Sequence, residues 1–200
     1  MLRRPTALPS LLLVLLAALS FSAPRSLHGQ ALPIATRTAD ISVFGGFATG
    51  LPDYGPYRNN GGSFGVNFTR YLHLPVAPSI EARANFLNGK TVNERTYLFG
   101  VRAQGDLFTR LHPYANFLIG PGDIHFNFFN NGYVGDNSTV YSIGGGADYD
   151  IARHWQAKVD FQYQHWKTGN NVTYTPTLTV IGVAYRIPFR PHFRQGEIRH

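Results

Sequence analysis

Seven charged residues lie where a period of two would turn them to one side of an extended chain: Glu81, Arg83, Arg102, Asp148, Lys158, Asp160 and Arg186. Glu81 and Arg83 are two positions apart, as are Lys158 and Asp160, and residues two apart in a strand share a face. Four cations against three carboxylates suit mutual ion pairing, because a charge taken out of water without a partner is costly. Catalysis asks for more: a nucleophile and a base within hydrogen-bond reach, and an acid to orient the base. Beyond residue 30 the histidines are His73, His112, His125, His154, His165, His192 and His200, and none has a serine two positions away. Asp123 and Asp136 flank His125 without the spacing of a metal site. There is no cysteine, so thiolate chemistry and disulfides are excluded. The glycine runs Gly45-Gly46, Gly61-Gly62 and Gly144 to Gly146 lack the context of a phosphate-binding loop. The sequence therefore predicts no catalytic residue, no cofactor, no metal and no enzymatic activity; a lipid-modifying enzyme is considered and set aside.

The elements that must position the charges come next. The chain has 200 residues, enough for one domain. Only 14 % of residues are charged, against roughly 25 % in average soluble chains. An equal 14 % are aromatic. The formal charge of +7 raises the question of nucleic acid, but part of it lies in a removable segment. Arg3 and Arg4 precede the apolar run Leu11 to Leu19, and the small residues Ser20, Ser22 and Ala23 follow. Basic start, short apolar stretch and small-residue exit make a secretory signal peptide over 1–30, cleaved somewhere in 22–30. Its loss removes three arginines and no acid, leaving +4 and no case for nucleic acid. Residues 31–38 read as a linker, and 190–200 as a basic tail with Arg190, Arg194 and Arg199.

Beyond residue 38 the apolar period is two. Trp155, Ala157, Val159, Phe161 and Tyr163 point one way; Gln156, Lys158, Asp160, Gln162 and Gln164 point the other. Eight such segments are predicted: 39–49, 62–71, 77–87, 96–106, 112–120, 139–149, 155–166 and 177–189. Strict alternation over about ten residues matches the 9–11 residues of a tilted strand crossing a bilayer. Every second connection is compact and carries arginine and histidine: Arg70 to His73, Arg110 to His112, and Arg153-His154. This is the mark of a hairpin meander. The connections at the other end include two longer polar loops, Gly50 to Gly61 and Gly120 to Asn137. In the second, Phe126, Phe128 and Phe129 form an expected exposed aromatic cluster, either packing on the rim or offering an adhesive surface. Aromatics near strand ends, among them Tyr71, Tyr97, Tyr149, Trp155, Trp166, Tyr185 and Phe189, are placed in interfacial girdles.

Long strands, aromatic apolar faces and polar faces of mixed sign predict an all-β fold. It is a closed antiparallel eight-stranded transmembrane β-barrel over 39–189, an up-and-down meander with lipid outside and charge inside. The run Tyr141-Ser-Ile-Gly-Gly-Gly-Ala-Asp-Tyr149, then Arg153-His-Trp155 and Asp160-Phe-Gln-Tyr163, resembles the small outer-membrane barrels of the outer membrane protein A-like and opacity-like kind. Gly182, Tyr185, Ile187 and Phe189 resemble the C-terminal signal read by the barrel-assembly machinery, although eleven further residues follow Phe189. The resemblance implies a bacterial outer-membrane location with both termini periplasmic. It also implies partners in outer-membrane lipid, the assembly machinery and periplasmic chaperones, and a monomeric state. It does not extend to a peptidoglycan-binding domain. The expected role is structural or adhesive, with a salt-bridged lumen and surface loops; a surface partner is not specified. A narrow porin-like channel is the alternative, and a soluble secreted barrel carrying a small hydrophobic ligand the second alternative.

Overall fold

The computed structural model describes residues 39–53, 57–72, 74–90, 92–105, 109–126, 135–167 and 173–189. The signal peptide, the linker, the basic tail, Phe128 and Phe129 lie outside the described residues. The strands are β1 (Ala39–Leu51), β2 (Asn59–Arg70), β3 (Val76–Asn88), β4 (Val92–Gly105), β5 (Leu111–Phe126), β6 (Gly135–Asp150), β7 (Trp155–Lys167), β8 (Thr173–Tyr174) and β9 (Thr177–Phe189). Each long strand pairs antiparallel with its chain neighbours, and β1 closes on β9 from Ala39↔Phe189 to Leu51↔Thr177. Eight long strands thus make a ring without a free edge, the arrangement that satisfies every backbone group in lipid. The end holding Ala39 and Phe189 is called the near end below, and the opposite end the far end.

The two-residue β8 is the outer end of the last strand. Its pairs with β7, Trp166↔Tyr174 and Lys167↔Thr173, continue the register of Tyr163↔Thr177. Pro176 separates it from β9. The proline carbonyl accepts from Gln164 N at 2.9 Å, but the ring has no N–H to return the bond.

Alternation puts one face of every strand inside and the other outside. On β7 every second residue from Gln156 to Trp166 is buried, and those between are exposed apart from the half-buried Ala157. Val43, Phe47, Phe64, Ile80, Phe99, Val101, Phe117, Ile143, Phe161 and Ile181 lie outward, each at least two-fifths exposed. Asn67, Glu81, Arg83, Asn116, Lys158, Asp160 and Gln162 lie inward and buried. A soluble carrier barrel would invert this order, so the ligand-carrier reading does not fit.

Three sequence expectations are corrected. Gly120 to Asn137 is not one loop: β5 runs on to Phe126 and β6 starts at Gly135. Phe126 is therefore a strand residue, partly buried against an apolar cluster inside the barrel. Trp166 is not in the girdle: it is fully buried, with Nε1 donating to Gln164 Oε1 at 3.0 Å. Its even position on β7 already put it on the inward face, and alternation overrode the preference of tryptophan for interfaces. Tyr149, Trp155, Tyr185 and Phe189 do lie outward at the near end, where the Trp155 and Tyr185 rings meet edge to face at 5.1 Å.

Large inward side chains need space in a barrel this narrow. Glycine on a facing strand supplies it. A Cβ on Gly65 would sit 2.3 Å from the Phe44 ring, and one on Gly122 would sit 2.6 Å from Trp166.

Candidate functional site

The inward face is layered along the barrel axis. Toward the far end apolar inner side chains gather among polar ones: Val92, Leu98, Leu118, Ile124, Val140 and Trp166 form one cluster, with Phe126 and Tyr174 against it, while Asn59, Glu94 and Gln164 are buried at the same end. Ala48, Leu87, Leu178 and Val180 form a second. The sequence reading took the lumen as polar throughout. These residues hold the inward parity of their strands, which was the signal for finding them.

Below the apolar cap lies the ionic layer, and six of the seven expected charges meet there. Arg83 donates through Nε to Glu81 Oε1 at 2.8 Å. It reaches Asp160 with both terminal nitrogens, at 2.5 Å to Oδ1 and 3.0 Å to Oδ2. This fork fits the planar guanidinium to the carboxylate. Asp160 accepts two more bonds, from the Tyr114 hydroxyl at 2.5 Å and from Gln162 Nε2 at 2.9 Å. Four donors fill the acceptor sites of one carboxylate. Glu81 is held further by Asn116 Nδ2 at 3.4 Å. Asn67, with its amide nitrogen turned to Glu81, spans from that carboxylate to Arg102.

The second group is Arg102, Asp148 and Lys158. Arg102 pairs with Asp148, and Lys158 Nζ donates to the other oxygen of Asp148 at 3.3 Å. Tyr114 joins the two groups. Its ring lies 3.7 Å from the Arg102 guanidinium carbon and 4.2 Å from Lys158 Nζ, while its hydroxyl holds Asp160. Phe44 gives Lys158 a second aromatic face at 4.7 Å. Such contacts stabilise a desolvated cation by about 2 kcal/mol. The six charges balance, three cations against three carboxylates, and the side chains of Arg83, Glu81 and Asp160 have no solvent exposure.

Arg186 does not join this layer. It pairs at the near-end mouth with Asp150, through Nη2 to Oδ2 at 3.2 Å. Asp150 also accepts from Gln156 at 2.7 Å and lies 3.2 Å from His112 Nε2. Asp150 was missed in the sequence although it shares the inward parity of Asp148. His112, expected in a turn, opens the inward face of β5 instead. Between mouth and ionic layer the lumen holds a cavity of about 10 Å³, lined among others by Ser42, Arg102 and Arg186. That is about the room one water molecule needs.

The expected assembly residues divide between faces. Tyr185, Ile187 and Phe189 lie outward and two-fifths or more exposed, whereas Gly182 faces inward opposite Gly46. Among the described residues no cluster of histidine and carboxylates has the form of a metal site.

The fold has known counterparts. Neisserial surface protein A superposes with a TM-score of 0.51 at 11 % identity, covering 76 % of this chain and 97 % of its own. Ail, the attachment invasion locus protein of Yersinia pestis, gives 0.47 at 14 % identity, over 76 % of this chain and 100 % of its own. The outer membrane protein OprG from Pseudomonas aeruginosa gives 0.46 at 15 %, over 76 % and 97 %. No curated protein matches the sequence. Residues 11–186 match the model of the outer membrane protein β-barrel domain, so the closed ring, the outward apolar face and the sequence agree, and the chain belongs to that family.

Proposed function

We propose that this protein acts through its outer surface and not through its lumen: an integral barrel of the bacterial outer membrane that displays its far end for structural or adhesive contact, without conduction and without enzymatic activity. The observation that carries this reading is the double closure of the interior. The ionic layer fills the cross-section with charges that have already found partners, and an apolar layer with Trp166 fully buried lies above it. An ion crossing the barrel would have to break the pairs, at a cost of several kcal/mol, and then pass the close-packed cluster around Trp166.

The far end is braced for display. Thr175 donates to Asp53 through its backbone N at 3.2 Å and its hydroxyl at 2.8 Å, which ties two connections together. Lys90 lies 5.4 Å from the Tyr57 ring, and Asn59 donates to Glu94 at 3.3 Å. The near end carries both limits of the barrel and reads as periplasmic, with Tyr185, Ile187 and Phe189 presented outward to the assembly machinery.

Two measurements test the proposal. The folded protein is expected in the outer-membrane fraction, with a heat-dependent shift on a gel. Single-channel recording in planar bilayers is expected to give no steady conductance. Stable openings from the native barrel would replace this reading with the narrow channel.

A further inference from the structure

The outward face is not uniformly bulky. At the near end of β3 to β6 one register row consists of Pro78, Ala103, Ala115 and Gly145. The next row toward the near end is small beyond its β3 edge, with Gly105, Pro113 and Ala147 following Val76. On the far side of this bed stands a ridge of Ile80, Val101, Phe117 and Ile143, each about half exposed or more. The result is a groove of about 840 Å³ along the barrel wall, with Arg70 on its β2 edge. A second hollow of about 380 Å³ lies beside Thr109, Arg110, Leu111 and Tyr149. Arg70 and Arg110 are both exposed, and neither has a carboxylate partner among the described residues.

We propose that this groove is a binding site for one anionic glycerophospholipid of the leaflet at the near end, an acyl chain lying on the bed of small residues, the phosphate meeting Arg70 at the β2 edge and Arg110 adding positive charge at the same end of the barrel. The proposal rests on the membrane reading above. Apolar walls alone would suit any lipid tail. The two exposed cations at the near end, without carboxylate partners among the described residues, select a negative headgroup, since a basic residue near the surface favours anionic lipid. They also disfavour a second copy of this chain. A two-fold contact through this face would bring like arginines to one rim, with no outward carboxylate in the described rows to offset them.

The test is native mass spectrometry of the folded barrel taken from nanodiscs of equimolar phosphatidylglycerol and phosphatidylcholine with matched acyl chains. The native protein is expected to retain one phosphatidylglycerol in preference to phosphatidylcholine, by about fivefold for each arginine. Arg70→Gln with Arg110→Gln is expected to abolish the preference. Ala115→Phe, which fills the bed, is expected to lower retention of both lipids, whereas Ala157→Phe on the outward face of β7 leaves it unchanged. Equal retention of the two lipids by the native barrel, or undiminished retention by Ala115→Phe, overturns the site, as does a dimer without lipid. Insertion is scored first by the heat-dependent gel shift. A barrel that inserts and retains no lipid sinks this proposal alone; one that does not insert sinks the membrane reading with it.

Discussion

Arg83 and Asp160 meet across the full width of the barrel. Arg83 is on β3 and Asp160 on β7, and the ring separates them by four strand steps in either direction. Their fork is a strut between opposite walls. Asp160→Ala is expected to lower stability by about 3 kcal/mol, the low end of the cost of breaking a buried pair, because Arg83 keeps Glu81. Arg83→Ala is expected to cost more, because it strips both Glu81 and Asp160 of their cation. Replacing all three together, as Glu81→Gln, Arg83→Met and Asp160→Asn, should recover most of the loss. Urea unfolding in phospholipid vesicles measures each step, and equal costs for the two single variants would contradict the shared-cation geometry.

The two tryptophans report on opposite sides of the wall. Trp155 is 49 % exposed and Trp166 is 0 % exposed. With Trp166→Phe, the remaining Trp155 fluorescence is expected to be strongly quenched by lipids brominated on their acyl chains. With Trp155→Phe, the remaining Trp166 should resist the same lipids. Equal quenching of the two would mean that Trp166 faces the bilayer.

Gly122 and Trp166 should behave as one unit. An added Cβ at Gly122 meets side-chain atoms, Val140 at 2.5 Å and Trp166 at 2.6 Å. Gly122→Val is expected to destabilise by about 1–3 kcal/mol through overpacking. Adding Trp166→Leu should relieve the crowding, so the double variant is more stable than the sum of the singles predicts. Strict additivity would show that the glycine serves another purpose.

Removing one closure of the lumen should not open it. Trp166→Ala empties part of the apolar cap at a cost of about 3–5 kcal/mol, yet the ionic layer beneath still spans the barrel. Planar-bilayer recording of this variant is expected to stay silent. Adding neutral small residues at Glu81, Arg83 and Asp160 should give the first measurable current.

The strands were legible because a one-residue error in parity would send Lys158 or Asp160 into lipid. The pattern on β7, from Trp155 to Trp166, therefore had one reading. Partners were less legible. Sequence shows which face Arg186 occupies but not its height in the barrel, and height decides that it meets Asp150 instead of Asp148. The far halves of β5 and β6 were hidden by Gly120, Pro121 and Gly122, which resemble a turn. In the barrel, Gly122 lies beneath Trp166, and the β4–β5 ladder skips the two rungs opposite Gly120 and Pro121 before resuming at Thr96↔Gly122. The breakers locally thin the ladder without ending the strand. The groove over Ala103 and Ala115 was equally hidden, because small outward residues form a hollow only once neighbouring strands align them.

The transverse strut has a consequence in time. An open sheet holds β3 and β7 far apart, so the contact between Arg83 and Asp160 cannot exist before the ring closes and is lost as soon as it parts. Interactions absent from the route into the folded state act on the rate of leaving it. The strut therefore sets how long a finished barrel lasts more than how quickly one is made. A protein without this pair would assemble at nearly the native pace and then decay sooner.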